Sequence, residues 1–295
     1  MKIEKISIIM LSLVALAWGT SYAIIKDTLE VVEPFTLMSI RFGGAAILLT
    51  LFYLNKVKNI SLDEIKKGSI IGIFMFGAFI TLVIGIQYTT ASKQSFLIGS
   101  YVLIVPFLGW IINKKKPDVY AIIGVVCAVV GLGMLTLGGL EGLTKGDLIS
   151  MLCSLSFALH MITIERYCKE ADPIILTIVQ FWITAILFII LSLILFIILS
   201  FVFEKHDFCV IRKAKIAIAY LVIVATVIAF VIQNISQKYI SSTSTALILT
   251  LESVFGSIFA VFYLKENLSL PMILGCIIVF IGIVTQETKW NFLKK

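Results

Sequence analysis

Ten stretches of this chain stay apolar for about the length of a membrane crossing, and this feature constrains the fold more than any other. A helix needs about 20 apolar residues to cross the roughly 30 Å hydrocarbon core of a bilayer. Backbone groups in lipid must be hydrogen-bonded within the protein, which favours helices. The ten predicted spans cover residues 6–25, 34–54, 68–87, 93–112, 119–137, 147–167, 174–203, 214–236, 243–264 and 269–286. The sequence therefore predicts an all-α integral membrane protein with ten transmembrane helices.

Composition excludes a soluble globule. The chain is 60% hydrophobic and 14% charged, whereas soluble domains average about 45–50% apolar and about 25% charged residues. The net charge of +7 is spread in short basic clusters between the spans. No basic stripe with interleaved aromatic residues, typical of a nucleic-acid interface, is found in the sequence. We therefore predict contact with membrane lipids and no nucleic-acid partner.

The distribution of Lys and Arg predicts the orientation, because short cytoplasmic loops carry an excess of basic residues. With ten spans and the N-terminus inside, fifteen basic residues lie in the cytoplasm and eight lie outside, while Arg41 falls within a span. The basic residues between positions 205 and 215 favour the opposite orientation, but they are fewer. We expect a multi-pass protein of the cytoplasmic membrane with both termini in the cytoplasm.

The two halves of the chain show parallel landmarks. Pro34 opens the second predicted span with Arg41 seven residues later, and Pro173 opens the seventh with Gln180 seven residues later. A second parallel relates Tyr88, Tyr101 and Lys114 to Tyr239, Glu252 and Lys265. Five spans per half force the halves into opposite orientations, the inverted-repeat arrangement of many secondary transporters. The predicted five-helix repeats cover residues 1–138 and 139–295.

Two charged residues, Arg41 and Glu252, are placed well inside predicted spans and are the strongest functional candidates. An ionisable group at mid-depth costs at least about 2.5–3.5 kcal/mol and is seldom without a role. Arg41 could face a cavity and bind a substrate carboxylate, or it could extend to the membrane surface or cap backbone carbonyls. Glu252 could bind a substrate ammonium, carry a coupling proton, or pair with Arg41 as a structural lock.

Other polar and aromatic side chains in the spans are candidates for the same cavity. A lone intramembrane histidine could relay protons or be a hydrogen-bonded packing residue. Amides could line a polar path or join neighbouring helices. Aromatic rings could form a cavity wall or anchor helices at the interface, and anchoring suits Tyr88 better than Trp18. The predicted substrate-cavity residues are Trp18, Arg41, Tyr88, Tyr101, His160, Gln180, Asn234 and Glu252.

Several short motifs follow one another along nearly the whole chain. In the N-terminal half they are Trp18-Gly19-Thr20-Ser21, Pro34, Arg41-Phe42, and the stretch from Gln87-Tyr88-Thr89-Thr90-Ala91-Ser92 through Tyr101 and Pro106 to Gly109-Trp110. In the C-terminal half they are Gln237-Lys238-Tyr239, Leu251-Glu252 and Lys265-Glu266. In this order and spacing the chain resembles the EamA family of the drug/metabolite transporter superfamily. The resemblance implies a ten-helix fold, cytoplasmic termini, and export or exchange of small metabolites such as amino acids.

The sequence departs from the family pattern at two places. Ser253 stands where the family usually has proline, and Lys114-Lys115-Lys116 replaces the more usual Gly-Glu. Without the proline we expect the ninth span to be stiffer near its middle, which puts a gating role for that segment in doubt.

The predicted function is secondary transport. We find no HExxH, P-loop or GxSxG motif, so we predict that the protein is not an enzyme, has no ATP motor of its own, and uses no cofactor or metal. We expect the two halves to export or exchange a small zwitterionic or amphipathic metabolite by alternating access. One alternative is a non-transporting membrane scaffold or receptor, which would need no polar path. An intramembrane enzyme acting on lipid ranks below it. No oligomeric state is predicted.

Overall fold

The computed structural model describes residues 2–114, 116–137, 144–200, 214–263 and 270–288, and every regular element in these ranges is a helix. The predicted boundary at 138, Lys115, most of the 205–215 loop, and the Lys265-Glu266 motif lie outside them. The helices are α1 (Lys2–Thr28), α2 (Pro34–Phe52), α3 (Leu54–Val57), α4 (Leu62–Gly85), α5 (Ala91–Gly99), α6 (Tyr101–Asn113), α7 (Val119–Leu137), α8 (Lys145–Tyr167), α9 (Pro173–Ser200), α10 (Lys215–Val222), α11 (Ala229–Gln237), α12 (Ser242–Leu249), α13 (Leu251–Tyr263) and α14 (Leu270–Thr288). A 3-10 turn (Ile86–Tyr88) follows α4, and a π-helical segment (Ile223–Ile228) joins α10 to α11.

Seven helical stretches in the described ranges are long and apolar enough to cross a membrane. They are Ile3–Thr28, Pro34–Phe52, Leu62–Tyr88, Lys145–Tyr167, Pro173–Ile194, Lys215–Gln237 and Ser242–Tyr263. Three shorter apolar helices cover Leu97–Ile112, Val119–Gly131 and Ile273–Thr285. Every one of these stretches overlaps a predicted run, so the chain is a helical multi-pass membrane protein. The number of ten crossings and their inverted repetition stay predictions.

Several helix starts follow directly from the local sequence. Pro34 is the first residue of α2, a position where the missing N–H of proline costs no hydrogen bond. The hydroxyls of Ser61 and Thr144 each accept a hydrogen bond from a backbone N–H three residues later, and the carboxylates of Glu64 and Asp147 accept one from the N-cap backbone in return. Helices α4 and α8 therefore both begin with a capping box.

Helices of the two halves interleave. From the N-terminal half, α1 packs along α13, α4 packs against both α8 and α9, and α2 packs against α9. The pair α7 and α14 is likewise formed by one helix from each half. Polar side chains from both halves therefore meet in one interior. Large apolar side chains face outward, where lipid would cover them; examples are Ile9, Leu51, Ile123, Ile190 and Phe280.

Two spans change their helical geometry along their length. At Ser100, between α5 and α6, and at Thr250, between α12 and α13, the next helix begins with a backbone hydrogen bond that spans three residues. Each hydroxyl also donates to the carbonyl three residues earlier, Leu97 O or Leu247 O. Thr250 thus interrupts the α-helical pattern of the ninth span three residues before Ser253 without a proline, and the expected stiffness near the middle of that span stays a prediction.

Glycine permits close helix contact at two interfaces. A Cβ on Gly68 would lie 2.5 Å from Cβ of Val179, and a Cβ on Gly72 would lie 2.8 Å from Cβ of Ile183. This GxxxG pair therefore packs directly against α9, as its spacing leads one to expect. A Cβ on Gly19 would lie 2.6 Å from the carbonyl oxygen of Glu252. Helix α1 thus touches the backbone of the helix that carries the candidate carboxylate.

Gly19→Ala is expected to lower the free energy of unfolding by about 2–3 kcal/mol, because the new methyl group must push α1 away from α13. Gly43→Ala is the matched control: nothing lies within 4 Å of a Cβ at that position, so alanine should be neutral or stabilise the helix by up to about 1 kcal/mol. Thermal unfolding of both purified variants in detergent measures the difference. Equal midpoints for the two variants would contradict the close contact.

Candidate functional site

Arg41 is held inside the protein by the opposite half. It lies on α2, seven residues after Pro34, and only 1% of its surface is exposed. Its Nε donates to Thr226 Oγ1 at 2.7 Å, and its Nη2 donates to Ala225 O at 3.2 Å. The guanidinium also lies over the ring of Phe79, 4.8 Å from the centroid. Arg41 therefore does not extend to the membrane surface, and it caps one carbonyl while its Nη1 has no hydrogen-bond partner.

The carbonyl that binds Arg41 belongs to the π-helical segment. In a π-helix the backbone bonds reach five residues, and such segments often mark functional sites. Thr226 Oγ1 donates to Leu221 O, five residues earlier, at 2.8 Å. Ala225 O accepts a second hydrogen bond from Trp18 Nε1 at 2.9 Å. One carbonyl in the C-terminal half therefore positions both Arg41 and Trp18 from the N-terminal half.

Glu252 is placed by the interruption at Thr250. It is the second residue of α13 and is 2% exposed. Tyr101, the first residue of α6, donates its hydroxyl to Glu252 Oε1 at 3.0 Å. Tyr101 is thus the first residue after Ser100, and Glu252 is the second residue after Thr250. A hydroxyl is a neutral partner, so it does not compensate the charge of an ionised carboxylate.

Arg41 and Glu252 line one small cavity. Its volume is about 10 Å³, close to the space that one water molecule needs. Within the described residues, no salt bridge joins Arg41 to Glu252, so the lock considered for this pair is not formed here. The cavity is lined by Trp18, Ser21, Tyr22, Ile25, Arg41, Phe79, Leu82, Phe157 and Glu252.

Three aromatic residues that line the cavity, Tyr22, Phe79 and Phe157, were not predicted. Tyr22 follows Trp18 by one helical turn, so the spacing of these two residues on α1 could have placed both on one face. Phe79 and Phe157 carried no such signal, because phenylalanine is common throughout apolar spans. The partner of Arg41, Thr226, was also missed, since the apolar run around it has no feature that distinguishes a π-helical segment from an α-helix.

Three of the predicted residues are buried outside the cavity and form hydrogen bonds between helices. His160 Nε2 and Gln180 Oε1 are 3.2 Å apart, joining α8 to α9. Asn234 Nδ2 donates to Thr177 Oγ1 at 2.8 Å, joining α11 to α9. The amides of Gln180 and Asn234 therefore join neighbouring helices, which was one of the two roles considered for them. His160 Nδ1, Gln180 Nε2 and Asn234 Oδ1 are buried without a hydrogen-bond partner.

Tyr88 lies away from both groups. It ends the 3-10 turn after α4 and is 61% exposed. Its carbonyl accepts a hydrogen bond from Thr144 Oγ1 at 3.4 Å. The structure thus brings Trp18, Arg41, Tyr101 and Glu252 together and leaves Tyr88 at the edge of the bundle, a location that suits the anchoring alternative.

Two salt bridges join the halves at the end where α8 meets α9. Lys56 Nζ lies 2.6 Å from Asp172 Oδ2, and Lys67 Nζ lies 2.9 Å from Glu170 Oε2. Partial burial opposes ionisation of Asp172, but the hydrogen bonds from Lys56 and from the backbone N–H of Ile174 outweigh it. They hold the pKa of this carboxyl below its usual value. The Arg41 cavity lies toward the other end, because α2 begins at Pro34, passes Arg41 early and ends at Phe52, shortly before Lys56 in α3.

Helical spans from two halves that enclose a buried arginine and glutamate define a multi-pass membrane protein with an internal polar site, the arrangement found in small-molecule transporters. Residues 5–137 and 144–285 both match the model of the EamA-like transporter family. The chain belongs to this family and is a transporter of the drug/metabolite type, not an enzyme.

Proteins similar to this chain include two that are named as transporters. An uncharacterized transporter of Archaeoglobus fulgidus is 30% identical over 274 residues, which cover 93% of this chain and 83% of the relative. The uncharacterized transporter YyaM of Bacillus subtilis is 25% identical over 286 residues. The match covers 91% of this chain and 89% of YyaM. A WAT1-related chloroplastic protein of Arabidopsis thaliana is 24% identical over 90% of this chain and 66% of its own length. A protein crystal structure with 15% identity covers 97% of this chain and 98% of its own, with a TM-score of 0.74, and shows similarity of fold alone.

Proposed function

We propose that the protein is a secondary transporter of the cytoplasmic membrane that exports or exchanges a small zwitterionic metabolite, such as an amino acid, by alternating access. The observation that carries this proposal is the Arg41–Glu252 cavity. A buried guanidinium with an unpartnered Nη1 shares this cavity with a buried carboxylate, and no salt bridge among the described residues joins the two.

The two charges suit the two ends of a zwitterion. Arg41 presents planar N–H donors to a carboxylate, and a second hydrogen bond to the same group adds geometric specificity. Glu252 would accept the ammonium of the substrate and, between substrates, a proton. An unpaired buried charge is costly, so a guest that neutralises both charges would bind more strongly than one that neutralises neither.

Substrate entry requires the helices to separate, because the present volume of about 10 Å³ admits little more than one water molecule. Several contacts across the cavity join one half to the other, including those from Trp18 and Arg41 to the carbonyl of Ala225. The hydroxyl-stabilised interruptions at Ser100 and Thr250 give each half a position where a span can bend. These features support rocking of the two halves around the site.

The salt bridges at the α8–α9 end would close the cytoplasmic side in this state. Lys56 and Lys67 come from the N-terminal half, while Asp172 and Glu170 come from the C-terminal half. Opening toward the cytoplasm would therefore separate both pairs. We place both termini in the cytoplasm on the basic-residue distribution.

Uptake into proteoliposomes tests the function. Purified protein is reconstituted into vesicles whose interior contains an unlabelled amino acid mixture. A panel of labelled amino acids is then added outside, with and without a pH gradient. Saturable uptake of one class that requires preloading or the gradient supports the proposal. Folded protein that takes up nothing from an extended panel of zwitterions, amines and organic acids would instead favour the scaffold or receptor alternative.

Asp172→Asn is expected to lower the free energy of unfolding by less than about 1 kcal/mol, because the Lys56–Asp172 pair is 42% and 35% exposed and solvent screens it. Since the pKa of Asp172 is lowered in the folded protein, its contribution is present above the usual pKa and is lost as the pH falls through the lowered value. The wild-type and variant unfolding midpoints in detergent should differ by a constant amount above about pH 5 and converge in acid. A difference that grows between about pH 6 and 8 would contradict this assignment.

A further inference from the structure

Four buried polar side chains outside the Arg41–Glu252 cavity lie on α8, α9 and α11, and α11 packs against both of the other helices. These residues, the amide cluster, are His160 on α8, Gln180 on α9, and Gln233 and Asn234 on α11, and all four are fully buried. His160 contacts Gln180. Gln237, which accepts a hydrogen bond from Gln233, donates to the carbonyl of Met161 and so ties α11 to α8.

Each member of the amide cluster has one buried atom without a hydrogen-bond partner. These atoms are His160 Nδ1, Gln180 Nε2, Gln233 Oε1 and Asn234 Oδ1. Buried polar atoms in proteins nearly always have a partner, which can be water or a ligand. Four unpartnered atoms on three helices that hydrogen bonds join in pairs therefore indicate a place where a polar guest binds.

The chemistry of the four atoms selects the guest. If Gln180 Oε1 accepts from His160 Nε2, the uncharged imidazole presents Nδ1 as an acceptor. Together with the carbonyl oxygens of Gln233 and Asn234 this makes three unpartnered acceptors, and Gln180 Nε2 adds one donor. Glu165, further along α8, is already bound to Lys169 and to the backbone N–H of Ser242. The cluster thus suits an uncharged group that mainly donates hydrogen bonds.

Two phenylalanine rings lie near both Trp18 of the Arg41–Glu252 cavity and His160 of the amide cluster, and one of them, Phe157, also lines the cavity. The ring of Phe230 lies 4.9 Å from that of Trp18 on one side and 5.8 Å from that of His160 on the other. The ring of Phe157 lies 6.3 Å from Trp18 and 6.2 Å from His160. The cluster is therefore only one aromatic layer away from the charged cavity, on the side of the α8–α9 end.

We propose that the amide cluster is a second binding station, which takes an uncharged hydrogen-bond-donating group (a carboxamide, a hydroxyl or a water molecule) after the Phe157 and Phe230 rings part. The inference rests on the proposed transport function and extends it to the part of the substrate that carries no charge. It gives the protein a charged station for the zwitterionic head and an uncharged station for a polar side group.

The first test is selectivity in the proteoliposome assay, with labelled glutamine and serine compared with labelled leucine and valine. The wild type should prefer the polar pair. Asn234→Leu and Gln180→Met, which keep approximate size and remove the unpartnered atoms, should lower the ratio of polar to aliphatic uptake about tenfold, because a site built for hydrogen bonds loses its discrimination without them. Gln87→Met, at an exposed amide that binds its own helix through Val83 O, should leave the ratio unchanged.

The second test does not need transport. Hydroxyl-radical footprinting of wild-type protein in detergent measures oxidation of buried side chains beside bound water. His160 and Phe230 should be oxidised at least fivefold faster than Phe188, which is equally buried among the rings of Phe35, Phe42 and Phe76.

The outcomes separate the two proposals. A selectivity change assigns the station to the substrate, and rapid oxidation with unchanged selectivity assigns it to water. Uptake with unchanged selectivity and slow oxidation of His160 and Phe230 would overturn the second station while transport stands. Absence of all uptake would count against the transport function, and footprinting alone would then decide whether the amide cluster holds a polar guest.

Discussion

Arg41→Ala is expected to reduce uptake of the zwitterionic substrate about 100-fold or more. The substitution removes the charge that binds the substrate carboxylate, and charge-assisted hydrogen bonds contribute about 1.5–3 kcal/mol each. It also removes two hydrogen bonds to the π-helical segment, so thermal stability should fall as well. Uptake in proteoliposomes and unfolding in detergent are measured on the same preparation.

Arg41→Lys separates the two effects. Lysine keeps the charge but lacks the planar fork, so we expect partial recovery of stability and little recovery of uptake. Arg166→Ala is the control, because Arg166 is exposed at the end of α8 and stacks over Tyr167, 5.9 Å from the ring centroid. Uptake by Arg41→Ala that equals the uptake by Arg166→Ala would remove Arg41 from the substrate site.

Glu252→Gln is expected to lower uptake roughly 10- to 100-fold and to abolish its response to a pH gradient. Glutamine can still accept the hydroxyl of Tyr101, but it cannot neutralise an ammonium or take up a proton at neutral pH. Electrostatic attraction to the substrate ammonium is lost, while the fold should be kept. The measurement compares initial uptake rates at two or more external pH values with the interior held constant.

Glu165→Gln is the matched control, since Glu165 is another buried carboxylate within a span. Its oxygens bind Lys169 Nζ and the backbone N–H of Ser242 at the start of α12, so it serves helix capping. We expect Glu165→Gln to lower thermal stability and leave the KM and the pH response of transport unchanged. A variant Glu252→Gln that keeps the full pH response would assign proton coupling to another residue.

Much of the candidate site was within reach of sequence reasoning. An arginine and a glutamate inside apolar runs are visible without a structure, because charge in a span must have a physical cause. The sequence did not decide among the alternative roles of Arg41 and Glu252. Burial and distance now exclude the extension of Arg41 to the surface and show no Arg41–Glu252 salt bridge among the described residues.

Tyr88 shows the limit of that reasoning. It was included among the predicted cavity residues although anchoring suited it better than Trp18, and in the structure it ends a 3-10 turn and is exposed. Aromatic residues serve both as cavity walls and as anchors at helix ends, and the direction of a side chain depends on where its helix ends. Helix ends are the least certain part of any sequence prediction.

The sequence by itself determined that this protein lies in lipid, that its spans are helical, and that two charged residues lie inside them. Each of these features depends on local composition, because lipid offers no hydrogen bonds to backbone or charged groups. Only the tertiary structure decided that α1 and α2 deliver Trp18 and Arg41 to one carbonyl of a π-helical segment, and that Phe157 and Phe230 stand between two polar groups. The contacts of Trp18 and Arg41 with Ala225 join residues more than a hundred positions apart. They follow from how helices interleave, which apolar periodicity does not encode.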